Sequence, residues 1–203
     1  MAAVRDVGGS TLGDMLNSAH AKCGSLPTGR GRKSSVEAIA GTADLAEAAG
    51  VDLAIEIVNR FETNLLNTAT QGLAFIAESG ADHVRLHLDT FHMNIEEASP
   101  AAAIRLAGDR LGYFHLNESN RGYLGGGVID FAPIFDALLD IGYGRDVAFE
   151  AFSGAVVDES LSLACAIWRD TWTESEPLAC HAKAFIDLKV EEAARRRATN
   201  ARA

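Results

Sequence analysis

The sequence predicts an α/β fold of parallel βα units, and three observations predict it. From about Ser34 onward, apolar residues at helical spacing alternate with short apolar runs. Four of those runs end in a residue type that can ligate a metal: Glu56, Asp89, His115 and Glu150. These four lie 33, 26 and 35 residues apart, close to the roughly 30 residues of one βα unit.

The elements follow in order. Ser34-x-x-Glu37 reads as a capping box opening a helix through Val36, Ile39, Ala43 and Leu45, with Gly50 as its C′ residue. A strand over Val51 to Val58 comes next, then a helix through Leu65, Leu66, Ala69, Leu73 and Ile76 that stops near Gly80. His83 to Leu88 is the second strand. A helix over roughly Pro100 to Arg110 leads to the strand Tyr113 to Leu116, and one from Phe131 to Ile141 leads to Val147 to Glu150. Two helices close the chain, Leu161 to Trp172 and Pro177 to about Arg197, with Arg195 to Ala203 read as a solvated, fraying end. Residues 1–33 read as a remnant: Val4 to Gly9 is at best the tail of one more strand. Gly29-Arg30-Gly31-Arg32-Lys33 reads as a basic surface loop, lacking the Gly-Lys-[Ser/Thr] order of a phosphate loop.

Composition narrows the function. The chain has 203 residues, 48% hydrophobic and 23% charged, enough for one domain with a substantial core. A net charge of −10 argues against a nucleic-acid partner, whose phosphates demand basic surfaces, and favours a small polar substrate. Cys23, Cys165 and Cys180 form no C-x-x-C pair, and any disulfide leaves one unpaired, which points to a reducing, cytoplasmic setting. There is no secretory h-region and no run long enough to span a bilayer.

In a parallel barrel, strand C-termini share one face, so Glu56, Asp89, His115 and Glu150 are expected to converge there. One carboxylate at a strand end is commonly a helix cap, and one histidine on an apolar strand commonly a bonded core residue. Four at matching positions are better explained as a metal site. Three carboxylates and an imidazole form an oxygen-rich set of charge about −3, suited to Mn²⁺, Mg²⁺ or Co²⁺.

The runs Leu53 to Glu62 (LAIEIVNRFE), Leu88 to Glu97 (LDTFHMNIEE) and Phe114 to Arg121 (FHLNESNR), with the closing segment Gly142 to Phe152, resemble the ketose 3-epimerases. These are the D-tagatose and D-psicose 3-epimerases of the xylose-isomerase-like barrels. The resemblance implies the C-terminal half of a TIM (β/α)8 barrel, an incomplete barrel whose one domain spans 1–203: a remnant over 1–33, four βα units over 34–152 and C-terminal helices over 153–203. It implies Mn²⁺- or Co²⁺-dependent epimerisation of a free ketose at C3, with Glu56, Asp89, His115 and Glu150 as ligands and Glu56 and Glu150 also as the acid/base pair. Inverting a carbon beside a ketone fits two opposed bases and an enediolate whose oxygen charge a metal offsets. By the same likeness Glu62, His92 and Arg121 would contact substrate oxygens. Bland alternatives stand beside these: a first-turn carboxylate for Glu62, a ligand orienter for His92, a solvated loop arginine for Arg121.

Two other functions stay open: an aldose–ketose or hydroxypyruvate-type isomerase with the same ligands, and a catalytically silent metal-binding fragment. A four-strand sheet is expected to have free edges at the strands near Val51 and Phe149, and an inner face lined by Ile55, Leu86, Phe114 and Ala148. On that basis the chain is expected to form a homo-oligomer or to require a missing N-terminal half.

Overall fold

The computed structural model describes residues 1–201. Its elements are α1 (Ala2–Asp6), β1 (Thr11–Asp14), α2 (Gly29–Ala48), β2 (Asp52–Glu56), α3 (Ala69–Ser79), β3 (Arg85–Asp89), α4 (Thr90–Glu96), α5 (Pro100–Ala107), β4 (Leu111–Leu116), α6 (Phe131–Asp140), β5 (Val147–Phe149), α7 (Glu159–Cys165) and α8 (Ser175–Asn200). The five strands form one parallel sheet in the order β1-β2-β3-β4-β5, a half-barrel with helices on its outer side.

Strand register sorts the side chains. Ile55 pairs with Leu86 and Leu86 with Leu111, while Leu88 pairs with Phe114; these residues point outward into the helices and are at most 2% exposed. The alternate set, Glu56 beside His87 beside Tyr113 and Asp89 beside His115 beside Ala148, points inward. Between these sets the pairing of β3 with β4 shifts by one residue, from Leu86↔Leu111 to His87↔Tyr113. Gly112 is the extra residue of that bulge. On β1, a Cβ on Gly13 would lie 3.6 Å from His87 Nδ1 and 3.7 Å from Ala54 Cβ, so the glycine belongs to the same inner layer.

Several expectations are corrected. The inner face is not lined by Ile55, Leu86 and Phe114, which are fully buried on the helix side; only Ala148 of that set faces inward. Val4 is helical, in α1, and the additional strand is Thr11–Asp14. It covers β2, so the free edges are β1 and β5. α2 starts at Gly29 with Thr28 Oγ1 accepting from Gly31 N, so Gly29 to Lys33 form its first turn and Ser34-x-x-Glu37 is no cap. Arg32 of that turn pairs with Glu78 at 2.8 Å and lies over the Phe75 ring. α7 ends at Cys165 rather than Trp172, with Ala166 left-handed at φ 55°. α8 stays helical to Asn200, and the arginines read as fraying are engaged: Arg195 with Glu191, Arg196 with Asp136, and Arg197 donating to the Leu139 carbonyl. Arg202 and Ala203 of that tail lie outside the described residues.

Candidate metal centre and adjoining cavity

Each strand delivers its inward-pointing residue at its C-terminal end, where the helices begin. Asp89 ends β3 and caps α4, its Oδ1 accepting from Phe91 N at 2.6 Å. Its Oδ2 accepts from Asn117 Nδ2 at 2.6 Å and lies 3.4 Å from Arg121 Nη1 and 3.7 Å from His115 Nδ1. Burial opposes the Asp89 charge, but His115, Arg121 and His92 outweigh it and hold the carboxyl well below its usual range. Glu150 follows β5; its Oε2 accepts from Arg121 Nη1 at 2.5 Å and Asn117 Nδ2 at 3.2 Å. Glu56 ends β2 with Oε1 3.8 Å from His92 Nε2 and 4.0 Å from His115 Nδ1. Burial, then the charges of Asp89, Glu150 and Asp14, push Glu56 well above the usual carboxylate range.

These groups contain three sets with ligand atoms within 4.8 Å of one another: Asp89-His115-Glu150, Glu56-Asp89-His92 and Glu56-His87-His115. Hydrogen bonding separates the histidines. His92 Nδ1 faces the Asn59 main-chain N–H at 3.2 Å, so it accepts, and in the neutral ring the proton sits on Nε2, toward Glu56. Burial lowers the His92 pKa, which favours that neutral ring. A nitrogen carrying a proton donates to an oxygen and does not ligate a cation. His115 Nδ1, by contrast, is buried without a hydrogen-bond partner and faces two carboxylates. A divalent cation fits this donor set: it would give the His115 Nδ1 lone pair a partner and relieve the crowding that raises Glu56.

Beside the carboxylates lies a cavity of about 420 Å³ that Glu56, Glu62, His92, Arg121 and Glu150 all line. Glu62 accepts from Asn59 Nδ2 at 2.7 Å and faces His20 Nε2 at 3.0 Å. Arg121 is held between the Phe91 and Phe152 rings, 3.9 and 4.9 Å from their centroids, with a left-handed backbone at φ 59°. All seven site residues expected from the sequence are thus gathered at one end of the sheet.

Four more residues belong here that sequence reasoning missed. Asn117 bridges Asp89 and Glu150; it stands in the run FHLNESNR, two residues after His115. His87 is 1% exposed, with Nδ1 3.8 Å from Glu56 Oε2; its signal was its place two residues before Asp89, on the same face. Asp14 and His20 line the cavity from β1 and the loop after it, in the segment that read as a remnant strand and loop.

Comparison with known proteins places this geometry. The L-ribulose 3-epimerase of Mesorhizobium japonicum is 53% identical over 196 residues, 97% of this chain and 66% of that protein. The structure of an L-ribulose 3-epimerase matches with a TM-score of 0.95 and 54% identity, covering 100% of this chain and 68% of the other. The D-allulose 3-epimerase of a Methylomonas species, solved in complex with D-allulose, matches with a TM-score of 0.90 and 43% identity, covering 93% of this chain and 65% of the other. The chain spans just under two thirds of the Mesorhizobium protein's length. Residues 2–170 match the family described as a xylose isomerase-like TIM barrel. With five parallel strands presenting carboxylates and a histidine at one end, the chain belongs to the xylose isomerase-like TIM barrel family.

Proposed function

We propose that this chain catalyses metal-dependent epimerisation of a free ketose at C3. The observation that carries it is the convergence of Glu56, Asp89, His115 and Glu150 at one end of the sheet, beside a cavity that Glu56 and Glu150 line, in a chain similar to L-ribulose and D-allulose 3-epimerases. One divalent cation, Mn²⁺ by preference with Co²⁺ or Mg²⁺ as alternatives, would be held by these four residues and would supply Lewis-acid polarisation of the ketose. Glu56 and Glu150 come from β2 and the end of β5, with β3 and β4 between them, so they approach a bound sugar from different sides. One takes the C3 proton and the other returns a proton to the opposite face, through an enediolate. The Arg121 guanidinium and the His92 Nε2–H donate toward the oxygen on which charge grows. Glu62, fixed by Asn59, receives a sugar hydroxyl.

Among the described residues β1 and β5 each have a strand on one side only. We read this as a chain that associates through those edges, as a homo-oligomer or with the further strands of an N-terminal half-barrel. Nucleic acid and membrane are not part of this reading; no described helix is long and apolar enough to cross a bilayer. The three free cysteines support a cytoplasmic setting.

The test is a Mn²⁺-supplemented assay on L-ribulose, D-allulose and D-tagatose, with products resolved by chromatography. A C3 epimer from at least one sugar is the expected result. An aldose as sole product would favour the isomerase reading, and metal binding without turnover the silent one.

A further inference from the structure

The loop between β4 and α6 carries Arg121 and the run Gly125-Gly126-Gly127, and beneath it lies a carboxylate that the chemistry above does not use. Glu118 is 0% exposed. Its Oε1 accepts from Ser119 N at 2.8 Å, Ser119 Oγ at 3.0 Å and Ile129 N at 3.2 Å, and its Oε2 accepts from Gly125 N at 2.9 Å. One buried charge thus ties together both ends and the middle of the loop. The glycines make this possible. Gly125 is left-handed at φ 81°, and a Cβ on Gly127 would land on Glu118 Oε1 and Ser119 Oγ.

The main chain of the same residue holds the arginine's backbone. Arg121 N donates to the Glu118 carbonyl at 2.9 Å, and Phe152 N donates to the Arg121 carbonyl at 3.0 Å. A non-glycine residue at φ 59° persists only where its surroundings over-determine it. A guanidinium between two phenyl rings, facing both Asp89 and Glu150, has to be placed to within a fraction of an ångström to serve a sugar oxygen.

We propose that Glu118 is a positioning residue: with Gly127 packed against it, it fixes the backbone and guanidinium of Arg121 for ketose binding. This rests on the epimerase reading. Glu118 does not touch the sugar, and it acts through Arg121 alone.

The experiment compares wild type, Glu118→Gln and Gly127→Ala. Gln replaces one acceptor with a donor facing a backbone N–H; Ala presses on the same carboxylate while leaving every charge in place. Mn²⁺ affinity is read by electron paramagnetic resonance, L-ribulose and D-allulose affinity of the Mn²⁺-loaded chain by calorimetry, and amide exchange at Arg121 and Phe152 by mass spectrometry. The expected result is ketose affinity weakened about tenfold in both variants, Mn²⁺ affinity within about twofold of wild type, and faster exchange at both amides. Unchanged ketose affinity, or equal losses of metal and ketose affinity, overturns the proposal, because a purely structural carboxylate would move both or neither. If the wild-type chain binds no ketose, the epimerase reading fails, and unchanged amide exchange in the variants would show separately that Glu118 does not hold Arg121.

Discussion

The two faces of the sheet are made of opposite chemistry. On the outer face Leu53, Ile55, Leu86, Leu88, Phe114 and Leu116 are at most 1% exposed and pack against the helices. On the inner face the same strands present Glu56, His87, Asp89, Tyr113 and His115. Successive residues of a strand point to opposite sides, so each strand holds a core residue next to a site residue: Ile55 beside Glu56, Leu88 beside Asp89, Phe114 beside His115. Stability and chemistry are therefore assigned to neighbouring positions with little overlap, and single substitutions should separate them.

The largest separation is expected at Glu150. Glu150→Gln keeps an oxygen for ligation but cannot take a proton, so epimerisation should fall by at least about 100-fold while metal affinity largely remains. Wild-type turnover in that variant would remove Glu150 from the acid/base pair. On the opposite face, Phe114→Ala should cost about 3–5 kcal/mol by denaturant titration, since the ring is fully buried. A loss under about 1 kcal/mol would break the assignment of that face to the core.

Arg121→Ala comes next: KM for the ketose should rise about tenfold or more, with the chain still binding Mn²⁺. Loss of the metal would instead make Arg121 part of the metal centre's support, through its contacts with Asp89 and Glu150. The smallest effect belongs to the outer surface. The Lys183–Asp187 pair on α8 is exposed on both sides, so Lys183→Ala should shift the melting temperature by no more than a degree or two.

This contrast also explains what was legible in the sequence. β2, β3, β4 and β5 could be read because each is an apolar run ending in a ligand-type residue, and α3 and α6 because their apolar spacing is regular, with Gly80 marking the end of α3. β1 was not legible: Thr11-Leu12-Gly13-Asp14 has one large apolar residue, and Gly13 is small because His87 and Tyr113 face it. α4 was hidden because its cap is Asp89, already read as the end of a strand. The inner face was misread because apolar residues were assigned to the barrel interior. Strict alternation from Glu56 would have sent Ile55 outward, and from Asp89 would have brought His87 inward. Asn117 and Glu118 were invisible as functional residues because their roles are hydrogen bonds to groups distant in sequence or to loop amides.

The central claim is that the inner-face carboxylates exchange a proton at C3 of a ketose, and solvent labelling tests it most directly. The Mn²⁺-loaded chain is incubated with L-ribulose in D₂O, and the sugars are followed by NMR. The account predicts solvent deuterium at C3, appearing together with the C3 epimer and lost in Glu150→Gln. Label at C1 or C2 with C3 untouched, or no label despite bound metal, would contradict it.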